Sequence, residues 1–230
     1  MSYLIANWKA NLDFDQVTNF VNTWQTLISK QPLSTQDQII IAPTSIFYAY
    51  LAKQQLPFAL ALQDISQFAG GAYTGAVTIT NLKGLVPQYS ILGHSERRRE
   101  FGETNQLIVT KAKRCWEIGI TPIICFDLEE LDELAALLRP HLRQDFILAY
   151  EPVSAISTSG QAGNLHPGEL AHLAPTFQAA CPDKPFIYGG SVKPDNAGSY
   201  REVCAGLLVG SASLQADSFY QIVTNFTAHT

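Results

Sequence analysis

Four side chains able to move a proton or stabilise a charge stand at the ends of short apolar runs. Asn7 and Lys9 close the first such run, His94 the fourth and Glu151 the sixth. A carboxylate can act as a general base, an imidazole can polarise a carbonyl or relay a proton, and an ammonium can face a developing negative charge. Taken singly, each has a plainer explanation: a solvated lysine, a histidine satisfying a local hydrogen bond, a glutamate before Pro152 that starts a turn. Their shared position at run ends is what points to one pocket. His94 precedes Ser95-Glu96-Arg97-Arg98-Arg99, which reads as the start of a short helix. The positive end of a helix dipole favours a neutral imidazole, which can donate a hydrogen bond without carrying charge. Arg97 to Arg99 read first as a solvated or ion-paired face with Glu96, Glu100 and Glu103. A Ser-His nucleophile is disfavoured, because adjacent side chains point apart and no GxSxG turn is present.

Two further segments have the makings of anion cradles: Tyr188-Gly189-Gly190-Ser191-Val192 and Leu208-Val209-Gly210-Ser211-Ala212, the second leading into a helix. Glycines allow backbone N–H groups to approach a phosphate, and a helix start adds its dipole. Each could also be an ordinary tight turn.

The elements that must position these residues are eight short apolar runs: Tyr3 to Trp8, Gln38 to Ala42, Phe58 to Gln63, Tyr89 to Gly93, Thr121 to Phe126, Phe146 to Tyr150, Pro185 to Tyr188 and Gly206 to Val209. They are nearly continuous in hydrophobicity, as suits parallel strands covered on both faces. Amphipathic stretches lie between them, such as Phe14, Val17, Val21, Trp24, Leu27 and Ile28. Parallel neighbours need crossovers, and eight such units predict an α/β fold closed into a single (β/α)8 barrel spanning residues 1–230. An open doubly wound sheet should carry a GxGxxG turn after its first strand, whereas the chain has Asn7-Trp8-Lys9-Ala10-Asn11. In a barrel the C-terminal ends of the strands share one mouth, where phosphates commonly meet the loops after strands 7 and 8. The chain has 230 residues, 47% of them hydrophobic, and a formal net charge of −5, which fits a globular core and argues against general binding of nucleic acid. No apolar run is long enough to span a membrane, no signal peptide is evident, and Cys115, Cys125, Cys181 and Cys204 lack metal or CxxC spacing, so a reducing cytoplasmic setting is expected.

The motifs Asn7-Trp8-Lys9, Gly93-His94-Ser95-Glu96-Arg97-Arg98 with Phe101-Gly102-Glu103, Ala149-Tyr150-Glu151-Pro152-Val153, Tyr188-Gly189-Gly190-Ser191-Val192 and Leu208-Val209-Gly210 resemble, in order, those of the triosephosphate isomerase family, whose fold is the TIM barrel. The resemblance implies interconversion of dihydroxyacetone phosphate and D-glyceraldehyde 3-phosphate, without cofactor or metal, in a homodimer. Glu151 would be the base, His94 the polarising imidazole, and Lys9 with Asn7 the charge-stabilising pair. Asn7, Lys9, Ser157, Ser191, Gly210 and Ser211 would bind the substrate, and Ser95, Glu96, Cys125 and Tyr188 would support them. Arg98 and Glu103 would form a structural ion pair, and Gln67 to Gly75 would reach into a partner subunit. The chain departs from the family in the stretch after Glu151, where Ser154 stands for a tryptophan and Ser157 for a glycine, and after strand 8, where Ser211 stands for a glycine. With a rebuilt stretch of this kind, a relative that binds sugar phosphates and turns them over slowly is one alternative; an aldolase-like enzyme using Lys9 as a Schiff base is another.

Overall fold

Alternation of side chains along a strand decides which residues of this chain line the barrel and which meet the helices. The computed structural model describes residues 1–85, 87–152 and 165–228. Within them β1 (Tyr3–Asn7), β2 (Gln38–Ala42), β3 (Ala59–Leu62), β4 (Tyr89–Leu92), β5 (Thr121–Phe126), β6 (Ile147–Tyr150), β7 (Phe186–Tyr188) and β8 (Gly206–Val209) run parallel and close in sequence order, β8 pairing with β1. The expected (β/α)8 barrel is therefore present, with strand limits within a residue or two of the eight apolar runs.

Ile5, Ile40, Ile91, Ile123, Ile147, Ile187 and Leu208 fill the interior. Two residues further along their strands, toward the C-terminal ends, come Asn7, Ala42, Cys125 and Ala149. Small side chains at that level leave room at the mouth for the larger polar groups on it. The opposite faces of the strands pack on the helices. In α1 (Phe14–Lys30) the buried Val17, Phe20, Val21 and Trp24 form one stripe, and Asp13 with Gln16 closes a capping box at its start. Trp24 packs on Phe219 and Tyr220 of α8 (Ala216–Thr227), joining the first and last helices.

One crossover differs from the alternating pattern. Among the described residues, no helix lies between β3 and β4; Gly70, Gly71, Gly75 and Gly84 break the stretch into turns instead. It folds back on itself through Ser66 N–H to Val77 O (2.7 Å) and Thr80 N–H to Ala69 O (3.0 Å). The β4–β5 crossover carries two helices, α3 (Ser95–Phe101) and α4 (Asn105–Glu117). The turn from β4 into α3 depends on Gly93, whose φ is +67° and whose missing Cβ would overlap Ile108. Gly93→Ala is expected to destabilise the protein by about 2–4 kcal/mol, from left-handed backbone strain plus overpacking, as read by urea denaturation.

Candidate active site

Asn7 faces inward at the end of β1, and the chain then turns through Lys9 with φ +52°, a conformation that costs a side-chain-bearing residue roughly 1–2 kcal/mol. Local hydrogen bonds hold it there. Lys9 N–H donates to Asn7 Oδ1 (3.1 Å), and Gln63 Nε2, just past β3, donates to both Lys9 O and Ala42 O (2.8 Å each). The Lys9 ammonium is thereby aimed across the mouth at Glu96, Nζ to Oε1 2.7 Å. Burial alone would push the Glu96 carboxyl up, but the hydrogen bond and charge of Lys9 outweigh it and hold the group below the usual carboxylate range.

His94 caps α3, its Nδ1 accepting from the Glu96 N–H (3.2 Å). Nδ1 being an acceptor, the ring proton belongs on Nε2, which faces Glu151 Oε1 at 3.1 Å. Glu151 Oε2 accepts from the Ser95 N–H (3.0 Å). Glu151 is only 4% exposed and His94 7%, so their contact is shielded from water. Gly189 lies against Glu151, at a place where any Cβ would come 2.9 Å from Glu151 Cγ. Cys125 is buried beside Glu151, and burial with that neighbouring carboxylate pushes its thiol up, leaving it a compact neutral neighbour.

Asn7, Lys9, His94, Ser95, Glu96, Cys125 and Glu151 are thus brought to one end of the barrel, with Gly210 bordering Lys9 (3.5 Å from Cε to where its Cβ would be). The helix expected directly after strand 8 is a single 3₁₀ turn, Ser211–Ser213, before α8 begins. Ser211 does not take the left-handed backbone that would penalise it: among the described residues only Lys9 and Asp183 have positive φ without being glycine. Ser191 O accepts from Asn196 Nδ2 (3.0 Å), which fixes the turn after β7. Tyr188 belongs to the core between strands and helices, its hydroxyl accepting from the Leu165 N–H (3.1 Å) and its ring stacked on Tyr200. Ser154 and Ser157 lie outside the described residues.

The expected Arg98–Glu103 pair is not formed. Arg98 instead donates to Gly93 O (2.9 Å), Asn105 Oδ1 (2.8 Å) and Cys125 O (2.9 Å), fastening the ends of β4 and β5 to α4. Gly102, with φ +66°, reverses the chain after α3 and brings Glu103 under Arg97 and Lys111 instead. Asp64 joins that buried group, 2.7 Å from Lys111 and 3.0 Å from Arg97; burial raises its carboxyl to about 6 against the pull of Lys111. Sequence reasoning missed Gln63, although a polar residue closing an apolar run was the signal used for the others. Asp64 and Lys111 gave no such signal, since their partners are 47 residues apart.

The family model described as triosephosphate isomerase matches residues 2–226. A triosephosphate isomerase of Dichelobacter nodosus is 36% identical over 241 residues, covering 95% of both chains. One of Aquifex aeolicus is 35% identical over 97% of this chain and 98% of its own. Another, of Mycoplasmopsis pulmonis, is 33% identical over 96% of both. Agreement of this extent along a barrel that closes in the same order as its motifs makes this chain a member of the triosephosphate isomerase family.

Proposed function

We propose that the chain interconverts dihydroxyacetone phosphate and D-glyceraldehyde 3-phosphate, in glycolysis and gluconeogenesis, with Glu151 carrying the proton. The observation that carries this reading is the buried contact of the Glu151 carboxylate with His94 Nε2, with the Lys9 ammonium directed into the same mouth. On substrate binding the carbonyl oxygen takes the Nε2 proton donor, freeing Glu151 to approach the adjacent carbon. Glu151 removes a proton from C1 of the ketose, giving an enediolate, and returns it to C2; His94 serves the two oxygens in turn. Lys9 and the Asn7 amide offset the charge that develops on those oxygens. Gly210, Ser211, Ser191 and Ser157 are the proposed phosphate contacts. Engagement of the Lys9 ammonium by Glu96 favours this electrostatic role over a Schiff base. Incubation of dihydroxyacetone phosphate with the protein in deuterated water tests the proton step. Deuterium at C2 of the product supports it, and borohydride trapping of a covalent adduct at Lys9 would oppose it.

A homodimer is also proposed. Ile46 is 78% exposed and Phe101 68%, and Phe14, Phe68 and Tyr73 add apolar surface on the segments following β1 to β4, which share one flank of the barrel. Phe68 and Tyr73 stack at 3.6 Å within the stretch after β3 proposed to enter the partner. Sedimentation at several concentrations should give a dimer; a persistent monomer would contradict it. No described helix is long and apolar enough to cross a membrane. Four buried free thiols support a cytoplasmic location.

A further inference from the structure

Pairing between β4 and β5 stops at Leu92 with Ile124, just before Gly93 on one strand and Cys125 on the other. Gly93 then turns away in its left-handed conformation and leads the chain to His94. Past that point one guanidinium bridges the two strand ends. Arg98 Nε donates to Gly93 O and Nη2 to Cys125 O, 2.9 Å each. A buried carbonyl needs a donor, and here the donors belong to a planar fork that holds both oxygens at a set spacing.

Each of those carbonyls adjoins one half of the His94–Glu151 contact. Gly93 immediately precedes His94, whose Nε2 lies 3.1 Å from Glu151 Oε1. Cys125 is followed by Phe126, whose carbonyl accepts from the Glu151 N–H at 2.8 Å. With Phe126 O turned to β6, Cys125 O is turned the other way, toward Arg98. The guanidinium is oriented from outside the barrel. Its Nη1 donates to Asn105 Oδ1 (2.8 Å), and the buried Asn105 donates in turn to Glu133 Oε2 (2.6 Å) and Glu130 O (3.3 Å) of α5 (Leu128–Leu138). Glu130 Oε2, 3.8 Å from Arg98 Nε, supplies the countercharge. Arginines near the core commonly satisfy spare carbonyls and do no more. In this barrel the two carbonyls bridged lie next to the two residues whose separation governs the proton transfer, and the bridging head is itself held at a third nitrogen.

We propose that Arg98 is a positioning residue for the isomerisation: by bridging the ends of β4 and β5 it sets the distance between His94 and Glu151. The inference rests on the isomerase reading above. Arg98→Lys keeps the charge but has a single nitrogen, which cannot hold both carbonyls in the same geometry. It is expected to lower kcat about tenfold in protein folded at the assay temperature, since small misplacements of reacting groups are costly. KM should stay within about twofold, because the proposed phosphate contacts Ser191, Gly210 and Ser211 follow β7 and β8. Arg98→Ala should be slower still. Guanidinium ion, added at a concentration that leaves the wild type fully active, should restore part of its kcat, and ammonium at the same concentration should not. A general loss of stability would not respond to a denaturing cation by gaining turnover. Should the Arg98 variants fail to fold, Asn105→Ala, which frees the guanidinium at its third nitrogen, must show the fall in kcat at unchanged KM. Folded Arg98→Lys with wild-type kcat, a loss confined to KM, or Arg98→Ala that guanidinium does not revive would overturn the positioning role while leaving the isomerase reading intact. Wild-type protein without turnover would defeat that reading, and this inference with it.

Discussion

Glu151→Gln should lower kcat by about 10²- to 10⁴-fold, the range by which a positioned general base accelerates proton transfer, with little change in KM. The amide matches the carboxylate in shape, so the side chain keeps its place between His94 and Ser95. It is far less basic, so it cannot take the proton from carbon. One carboxylate oxygen accepts a hydrogen bond from the Ser95 N–H, and the other lies 3.1 Å from His94 Nε2. The single amide oxygen can satisfy only one of those donors, leaving the other facing an NH2 group. An unmet buried donor costs about 1–3 kcal/mol, offset in part because an uncharged group is easier to bury. The variant should therefore melt a few degrees below wild type at most while losing nearly all turnover. Steady-state kinetics in both directions, with a thermal melt of the same sample, separates the two effects. Near-normal kcat in Glu151→Gln would remove this residue from the proton step.

Lys9→Met should lower kcat/KM by about 10²- to 10³-fold, the loss typical of one donor aimed at charge developing in the transition state. Two properties of the site make the loss specific to the charge. The ammonium is held by Glu96, so its removal also leaves that carboxylate without its closest cation. The backbone at Lys9 is held by Asn7 and Gln63 through main-chain groups, which any residue supplies. Lys9→Gly provides the control: it relieves left-handed strain of about 1–2 kcal/mol, against the greater unfolded-state freedom of glycine, about 0.5–1 kcal/mol, and the lost ion pair. Its melting temperature should stay near wild type while its activity falls as far as that of Lys9→Met. Lys9→Arg should not restore the rate, because a planar guanidinium cannot occupy the place of a compact ammonium between Glu96 and Gly210.

Much of the barrel is legible because its signals are local. Runs such as Gln38 to Ala42 and Thr121 to Phe126 are too short for helices and apolar on both faces, so their lengths and repetition identify parallel strands. Asn7, His94 and Glu151 are legible for a related reason, since a polar residue closing such a run must come to the strand ends. The β3–β4 crossover was not, because turn glycines override the expectation of a helix there and the segment stabilises itself by contacts such as Ser66 with Val77. Arg98 and Glu103 show the limit at the level of side chains. Five residues apart, they part company because Gly102 turns the chain, and each finds partners on other elements. Tyr200 lies in a stretch with no motif at all, and only the fold brings it to Leu165.

Conversion of one triose phosphate into the other at this mouth is tested by assaying purified protein in both directions. Turnover of both triose phosphates should be saturable, with the ratio of the two kcat/KM values equal to the chemical equilibrium constant and the activity nearly abolished by Glu151→Gln. Folded wild-type protein that binds the substrates without turnover above the uncatalysed rate would contradict it.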